Sequence, residues 1–516
     1  DAYNVAMGYN AGTAVTTGIQ NTLIGGLAGD VLTDADYNVA LGVSALGADT
    51  LGSKSVALGY STLTNQNFTT ATDTYNTAVG YTAGSSVTTG TQNTLIGGLA
   101  GDALTTGSYS VAVGFQALST EDAHGQNTAV GYKALATLNA GATGNNVAIG
   151  FDAGTAVTTA THNTLIGATA GDALTSGGSN TVLGRDALSA DTLGSRAVAI
   201  GEAALQAQNF TTATEHYNVA IGYAAGGSVS TGANNVLIGG LAGDALTDAD
   251  KNVAMGDQAL SSDTLGSRST AVGFGALFTQ NFTTATDTYN VAVGANAGLS
   301  ITTANQSTLI GALSGDALTS GHTNTALGYL TLSADTLGNQ SVAIGTGALQ
   351  SQNFTTATTT YNTAVGVNAG AAITTGTNNT FVGSLAGDGT DDGLYNVAVG
   401  ATALSANCAN ANTAIGFSAL GAATGATNTA IGYAAMGEGD VSGAGNASLG
   451  YASGYAITSG SNNLCLGSDA GRTGSPGGNL TTNSNEVVVG DENITEAHVQ
   501  VDWTIASDQR DKTDFT

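Results

Sequence analysis

The residues of this chain best suited to chemistry are aromatic and sit where an otherwise strict pattern is interrupted. Four segments, 65–76, 208–218, 280–290 and 352–362, read QNFTTATDTYN or a close variant. They pair Phe68 with Tyr75, Phe210 with Tyr217, Phe282 with Tyr289 and Phe354 with Tyr361. Rings beside Thr, Asn and Gln suit the faces and hydroxyls of sugars, and binding residues concentrate on loops carried by a rigid scaffold. These eight are the candidate receptor-binding residues. The competing reading is that the rings fold back and staple each loop to its own coil.

Other chemistry is poorly served. The histidines, His124, His162, His216, His322 and His498, are far apart in sequence and at different offsets in the pattern, which argues against a metal or catalytic site. No GxSxG elbow, P-loop or HExxH is present. Asp30, Asp102, Asp172, Asp244, Asp316 and Asp388 recur in a Gly-Asp loop. With coils about 4.8 Å apart, successive members of this set lie roughly 19 Å apart, too far for a carboxylate pair. Three chains meeting on an axis would bring three together as an oxygen-ligand Ca²⁺ site; a turn Asp bonding its own backbone is the simpler reading. No metal and no cofactor is expected. Cys408 and Cys465 are too few for a disulfide framework.

Composition narrows the partners. The chain has 516 residues, 76 of them Gly and one Pro, with 9 Lys or Arg against 37 Asp or Glu, a formal charge of −28. Phosphate backbones and anionic membranes require clustered cations, so neither nucleic acid nor a membrane surface is an expected partner. No apolar run reaches the roughly 20 residues needed to cross a bilayer. The chain starts at Asp1 without an initiator Met or a signal peptide, as expected of a piece of a longer protein.

The elements that position these residues are set by a repeat. A pentapeptide close to N-[TV]-[AL]-[IVLM]-G recurs, as NTLIG ending at Gly25, NTAVG at Gly80 and NVAIG at Gly150, at a spacing of mostly 17 residues. Every fourth step is stretched to 19 or 21, giving a higher unit of about 72 residues, and the long insertions are those stretched steps. After Gly366 the steps shorten. Three regions follow: a regular array over 1–366, a divergent shorter-period array over 367–484, and a C-terminal segment over 485–516.

Each pentapeptide reads as a short strand; in NTAVG, Thr77 and Val79 share one face and Ala78 takes the other. Seventeen residues are too few for a strand, a helix and a return, and helical spacing is missing. Ordering one coil costs about 1–2 kcal/mol per residue, whereas a buried Ile or Val returns about 1.5–3 kcal/mol. A coil therefore stands only against its neighbours, and the expected fold is an all-β parallel β-solenoid of about 28 coils. The coil encloses one row of inward residues. The intervening Ala and Leu, on the other strand face, then need cover from parallel copies of the chain, and threefold closure is the expected symmetry. A Tyr or Phe that often follows the repeat Gly, as at Tyr60, Tyr81 and Phe115, reads as packing.

The NTAVG/NVAIG ladder resembles the head repeats of trimeric autotransporter adhesins of the YadA type, which implies a left-handed β-roll that trimerises. NEVVVGDENITEAHVQVDWTIASDQRDKTDF at 485–515 resembles the junction at which bacteriophage tail fibres and tailspikes lead into an endosialidase-type intramolecular chaperone. Its W-x-x-x-S-D-x-R-x-K signature is matched by Trp503, Ser507, Asp508, Arg510 and Lys512. The resemblance implies self-cleavage of the Ser507–Asp508 bond, with Ser507 as nucleophile and Lys512 as its base. Trp503 reads either as a clamp around a threefold axis or as an ordinary buried aromatic. The expectation is a homotrimeric bacteriophage tail fibre, located in the virion and extracellular, that touches a host surface glycan or protein and joins other tail proteins. The alternative is the head of a bacterial trimeric adhesin. A polysaccharide-degrading tailspike is the third reading, and no acidic pair can be picked out for it.

Overall fold

The computed structural model describes residues 2–496 and residue 498. Among the described residues there is no helix; one three-residue strand per repeat ends just before each repeat Gly. Strands pair in parallel and in register with the next repeat, Thr77↔Thr94, Ala78↔Leu95 and Val79↔Ile96 for example. The chain is an all-β parallel β-solenoid. It forms two compact units, Asp1–Gln340 with Thr355–Thr358, and Ser341–Phe354 with Thr359–Thr516. The first carries the ladder from Val5–Met7 to Thr325–Leu327, and the second from Val342–Ile344 to Val487–Val489.

Three-residue strands offer few backbone hydrogen bonds; the turns add more between coils, as from Leu99 N to the Tyr81 carbonyl and from Gly101 N to the Ala117 carbonyl, both at 2.9 Å, and the repeat Asn adds a side-chain ladder. Before each Asn the chain turns a corner through a residue in the left-handed region, such as Gln92 at φ 59°. The N–H of Asn93 then goes to Asn76 Oδ1 at 2.9 Å, while Asn93 Nδ2 donates to the Gly107 carbonyl at 2.9 Å. Asn93 Oδ1 accepts in turn from Ser110 N. Donor and acceptor are both used, and the side chain is fully buried. An amide provides both functions in one planar group.

The Gly that ends each strand is required by close approach. At Gly114, φ is 139° and a Cβ would stand 2.2 Å from the Gly131 carbonyl oxygen of the next coil. Coils stack at this point backbone to backbone.

The faces of the strand are the reverse of the expectation. The central Ala or Leu points into the coil, with Ala78, Leu95 and Ala112 fully buried. The flanking residues, Thr77 and Val79 among them, point outward. The physical reason is width. The returning turn fills the interior with its own side chains, such as Ala83, Val87, Leu104 and Leu118, leaving room opposite for a methyl group in most coils. Where the strand carries Leu, the turns retreat to Gly: a Cβ on Gly84 or Gly101 would meet Leu95 at 2.6 and 2.8 Å.

The insertions are paired to the solenoid. Thr72–Asp73 forms a parallel bridge with Gly52–Ser53, as do Thr214–Glu215 with Gly194–Ser195 and Thr286–Asp287 with Gly266–Ser267. They widen a coil on one side.

Gly114→Ala should lower the urea midpoint of the array by an amount equivalent to about 1–3 kcal/mol, from backbone strain and displaced stacking. Gly98→Ala should cost much less, because a Cβ there meets only the Phe115 ring at 3.5 Å. Equal effects would show that the stacking contact does not set stability.

Candidate functional site

The four insertions separate the aromatic pairs expected to act together. Phe68, Phe210, Phe282 and Phe354 are 6% to 7% exposed, whereas Tyr75, Tyr217, Tyr289 and Tyr361 are 47% to 60% exposed. The phenylalanines are the staples of their coils and offer no ring to a receptor. Only the tyrosines keep that capacity.

A buried polar knot, not apparent in the sequence reading, places them. Asp49 opens a DTLG stretch one coil before the insertion. Its Oδ1 accepts from the N–H groups of Gly52 and Phe68, both at 3.1 Å, and its Oδ2 from Gln66 Nε2 at 2.5 Å. Gln66 Nε2 also donates to Ser55 Oγ, and its Oε1 accepts from Asn76 Nδ2 at 2.9 Å. Ser55 and Thr74 close the knot at 2.5 Å. The same contacts recur at Asp263, Gln280, Ser269, Thr288 and Asn290. Burial raises the Asp49 carboxyl, against the bonds from Gln66, Phe68 and Gly52 that lower it. The signal in the sequence was DTLG recurring 17 residues before Gln66, Gln208 and Gln280.

On the surface above three of the four insertions stand a cation, an acid and a tyrosine; the fourth carries Gln340, Thr359 and Tyr361 at these positions. Lys54 Nζ lies 2.6 Å from Asp73 Oδ2, 3.2 Å from the Tyr75 hydroxyl and 5.1 Å from the centre of its ring. Arg196 pairs with Glu215 at 2.9 Å and covers Tyr217 at 5.5 Å. Arg268 pairs with Asp287 at 3.0 Å and covers Tyr289 at 5.5 Å. These cations hold rings in place and are already matched in charge.

One knot differs. Ala197 and His216 stand where Ser55 and Thr74 stand in the first. Gln208 Nε2 donates to Asp191 Oδ2 at 2.7 Å and lies 2.9 Å from His216 Nε2, and the imidazole stacks on Phe210 at 4.8 Å. The larger ring fills the space vacated by Ser→Ala. Burial pushes the His216 pKa down from 6.5 to about 4, against the opposing pull of Asp191 at 3.7 Å. The stretched step of the second super-repeat differs more, with Glu121 at the Asp position and Leu138 and Ala140 at those of Gln66 and Phe68.

The remaining candidates disperse. Glu121, Asp122 and His124 lie close enough to share an ion, but the Glu121 carboxylate is already occupied by the N–H groups of His124 and Ala140. Asp102, Asp172, Asp244, Asp316 and Asp388 each keep a buried oxygen without a hydrogen bond among the described residues. Desolvation raises all five carboxyls, against a bond from each residue's own backbone that lowers them. His162 and His322 lie in other coils. In the second unit a cleft of about 430 Å³ is lined by Glu438, Tyr455, Asp469, Arg472 and Glu492. Arg472 there is paired with Asp469 and lies over Tyr455. Trp503, Ser507, Asp508, Arg510 and Lys512 lie outside the described residues.

The chain matches no protein-family model, and no curated protein matches it. Function has to be argued from the geometry.

His216 generates a pH prediction. Its folded pKa lies below the unfolded value, so the unfolded chain binds the extra proton between about pH 6.5 and 4, and stability falls as pH drops through that window. The loss should reach about 2–3 kcal/mol. The protection factors of amides 191–218 against hydrogen exchange, each taken relative to the intrinsic rate at that pH, should therefore fall from pH 7.5 to 4.5 more than those of amides 263–290. The double substitution Ala197→Ser/His216→Thr should remove the difference; its persistence would assign the effect elsewhere.

Proposed function

We propose that this chain is the shaft of a homotrimeric extracellular fibre, a bacteriophage tail fibre that carries host-binding surfaces away from the virion. The observation that carries this reading is the outward strand face. Ile96, Ile149, Leu183, Met255 and Leu327 are each 38% to 46% exposed, and the other outward strand position of their coils, Thr94, Val147, Thr181, Val253 and Thr325, is Thr or Val. Beside them runs a second ladder, the residue after each repeat Gly. Its rings stack coil on coil, Phe115 on Tyr132 at 5.9 Å and Tyr132 on Phe151 at 5.1 Å.

A monomer rarely exposes so large a contiguous apolar surface. The face repeats with each coil, so side-by-side parallel copies would bury well over about 2,000 Å², the range of obligate assemblies. Such assemblies close by symmetry. Three is the number implied by the resemblance of the repeats to trimeric adhesin heads, and the segment at 485–515 directs the reading to a phage fibre. The described strands pair in register from coil to coil, as a mechanical spacer requires.

Sedimentation equilibrium should give about three times the 50.2 kDa chain mass. Ile96→Glu with Ile149→Glu and Leu183→Glu should release monomers, since each places a charge on the buried face. A wild-type monomer would end the assembly argument. In a precursor that continues beyond Thr516, Ser507→Ala should abolish cleavage before Asp508. A wild-type precursor that stays intact would remove the fibre-junction assignment and favour the adhesin head.

A further inference from the structure

The solenoid carries two aromatic ladders, and they differ in chemistry. The one after the repeat Gly accepts Phe as well as Tyr, as at Phe115, Phe151 and Phe274. The other is the left-handed residue before the repeat Asn. There the first unit carries Tyr3, Tyr37, Tyr75, Tyr109, Tyr217 and Tyr289, and never Phe. A ring that becomes buried against another chain needs no hydroxyl, whereas one that works in water beside polar partners does. The second ladder therefore faces something wet.

Its neighbours agree. From residue 37 the ladder reads Tyr37, Lys54, Tyr75, Gln92, Tyr109, Gln126, with a ring in every second coil and a hydrogen-bonding side chain between. The three tyrosines are 48% to 56% exposed. They hold φ of 60°, 50° and 62°, a conformation costly for a bulky residue and cheap for Gly or Asn. Strain kept at an exposed side chain points to use of that side chain. Tyr75 is also fixed before any ligand arrives, by Lys54 and by Asp73 at 3.4 Å from its hydroxyl.

We propose that this corner, from Tyr37 to Gln126, is a docking track for a neutral, extended polysaccharide. Rings two coils apart, roughly 10 Å, are spaced for alternate sugars of a linear chain, and the Gln side chains between them meet ring hydroxyls. A net charge of −28 disfavours an anionic polymer, and the matched Lys54 leaves no free cation to offset it. A protein partner would call for clustered apolar anchors, which this corner lacks. The inference rests on the reading of the chain as an attachment fibre and adds the class of ligand and its location.

The test is affinity electrophoresis in native gels containing hydroxyethyl cellulose, galactomannan, alginate or gelatin. The wild type should be retarded by at least one neutral polysaccharide and by neither alginate nor gelatin. Tyr37→Asn/Tyr75→Asn/Tyr109→Asn removes the rings but keeps the turn, since the same ladder already carries Asn145 and Asn234. This variant should bind about tenfold more weakly with an unchanged melting curve, while Tyr60→Phe/Tyr81→Phe, which keeps the rings of the other ladder and removes only their hydroxyls, should bind as the wild type. No retardation by either neutral polymer, retardation that survives in the triple Asn variant, or retardation by gelatin alone would each overturn the proposal. A trimer that ignores both polymers would leave the fibre reading intact. A monomer retarded through these tyrosines would do the reverse.

Discussion

The structure depends on one hydrogen-bonded ladder, that of the buried Asn side chains. A strand of three residues, as in Thr94–Ile96, supplies only part of the bonding between coils, and the backbone bonds of the turns leave the corner unfinished. The left-handed corner before it leaves an N–H and, on the adjacent coil, a turn carbonyl to be satisfied. The Asn amide takes both: Asn93 Oδ1 accepts from Ser110 N and Asn93 Nδ2 donates to the Gly107 carbonyl, at 2.9 Å each, and an unmet buried group of this kind costs about 1–3 kcal/mol. Because each Asn serves the next coil, any coil lacking it leaves its neighbour incomplete. At Ser55, where Asn gives way to Ser, the backbone N–H still finds Asn38 Oδ1, and a second group enters to finish the circuit, whereas the buried hydroxyl of Ser110, at the same position of another coil, finds no partner among the described residues. At Ser55 that group is Gln66 with Thr74, so the insertion is the local answer to a missing Asn. Its outer tyrosine is placed as a consequence.

The super-repeat has a similar origin in volume. One coil in four carries Leu at the inward strand position, and the turns around it carry Gly where others carry Leu, as Gly84 and Gly101 do around Leu95. In the second unit Phe381 takes that position, and a Cβ on Gly387 would approach it to 2.6 Å. Large and small alternate between strand and turn so that each layer holds nearly the same volume, which close packing demands. The Gly-Asp loops are therefore a packing signature of the Leu coil.

Much of this was legible beforehand. The 17-residue period, the parallel register, the all-β class and the insertions as departures from rule all followed from NTAVG and its relatives. What failed was the direction of the strand. Alternation says that Ala78 opposes Thr77 and Val79 but not which of them is inside, and apolar character on both faces removed the usual cue. The decision lies in the turn, whose Leu and Val already fill the interior. The Phe–Tyr pairs failed in part for a related reason. Both rings are amphipathic candidates in a list of residues, and only the Asp49 knot, formed between residues 17 apart, withdraws Phe68 while leaving Tyr75 in water. His216 looked like one of five scattered histidines; its role depends on Ala197, which is unremarkable until the two are seen to replace Ser55 and Thr74.

The acidic excess acquires a structural role once the faces are assigned. The three-residue strands of the main ladder carry no charge, and acids lie on the turns, the corners and the two-residue bridges of the insertions. Lys54, Arg196 and Arg268 each spend their charge on an acid in the adjacent coil, and Arg185 does so on Asp186 and Glu202. Little positive charge remains to attract a neighbouring molecule. Two parallel chains that approached through their turns would meet like charge on like charge, whereas through the strand face they would meet aliphatic side chains and stacked rings. Repulsion at the corners and desolvation at the strands thus favour the same mode of association. A uniform repeat could slip by one coil at little cost to the apolar contacts. The insertions, which return only once in a super-repeat, penalise any slip that does not bring their widened coils back side by side.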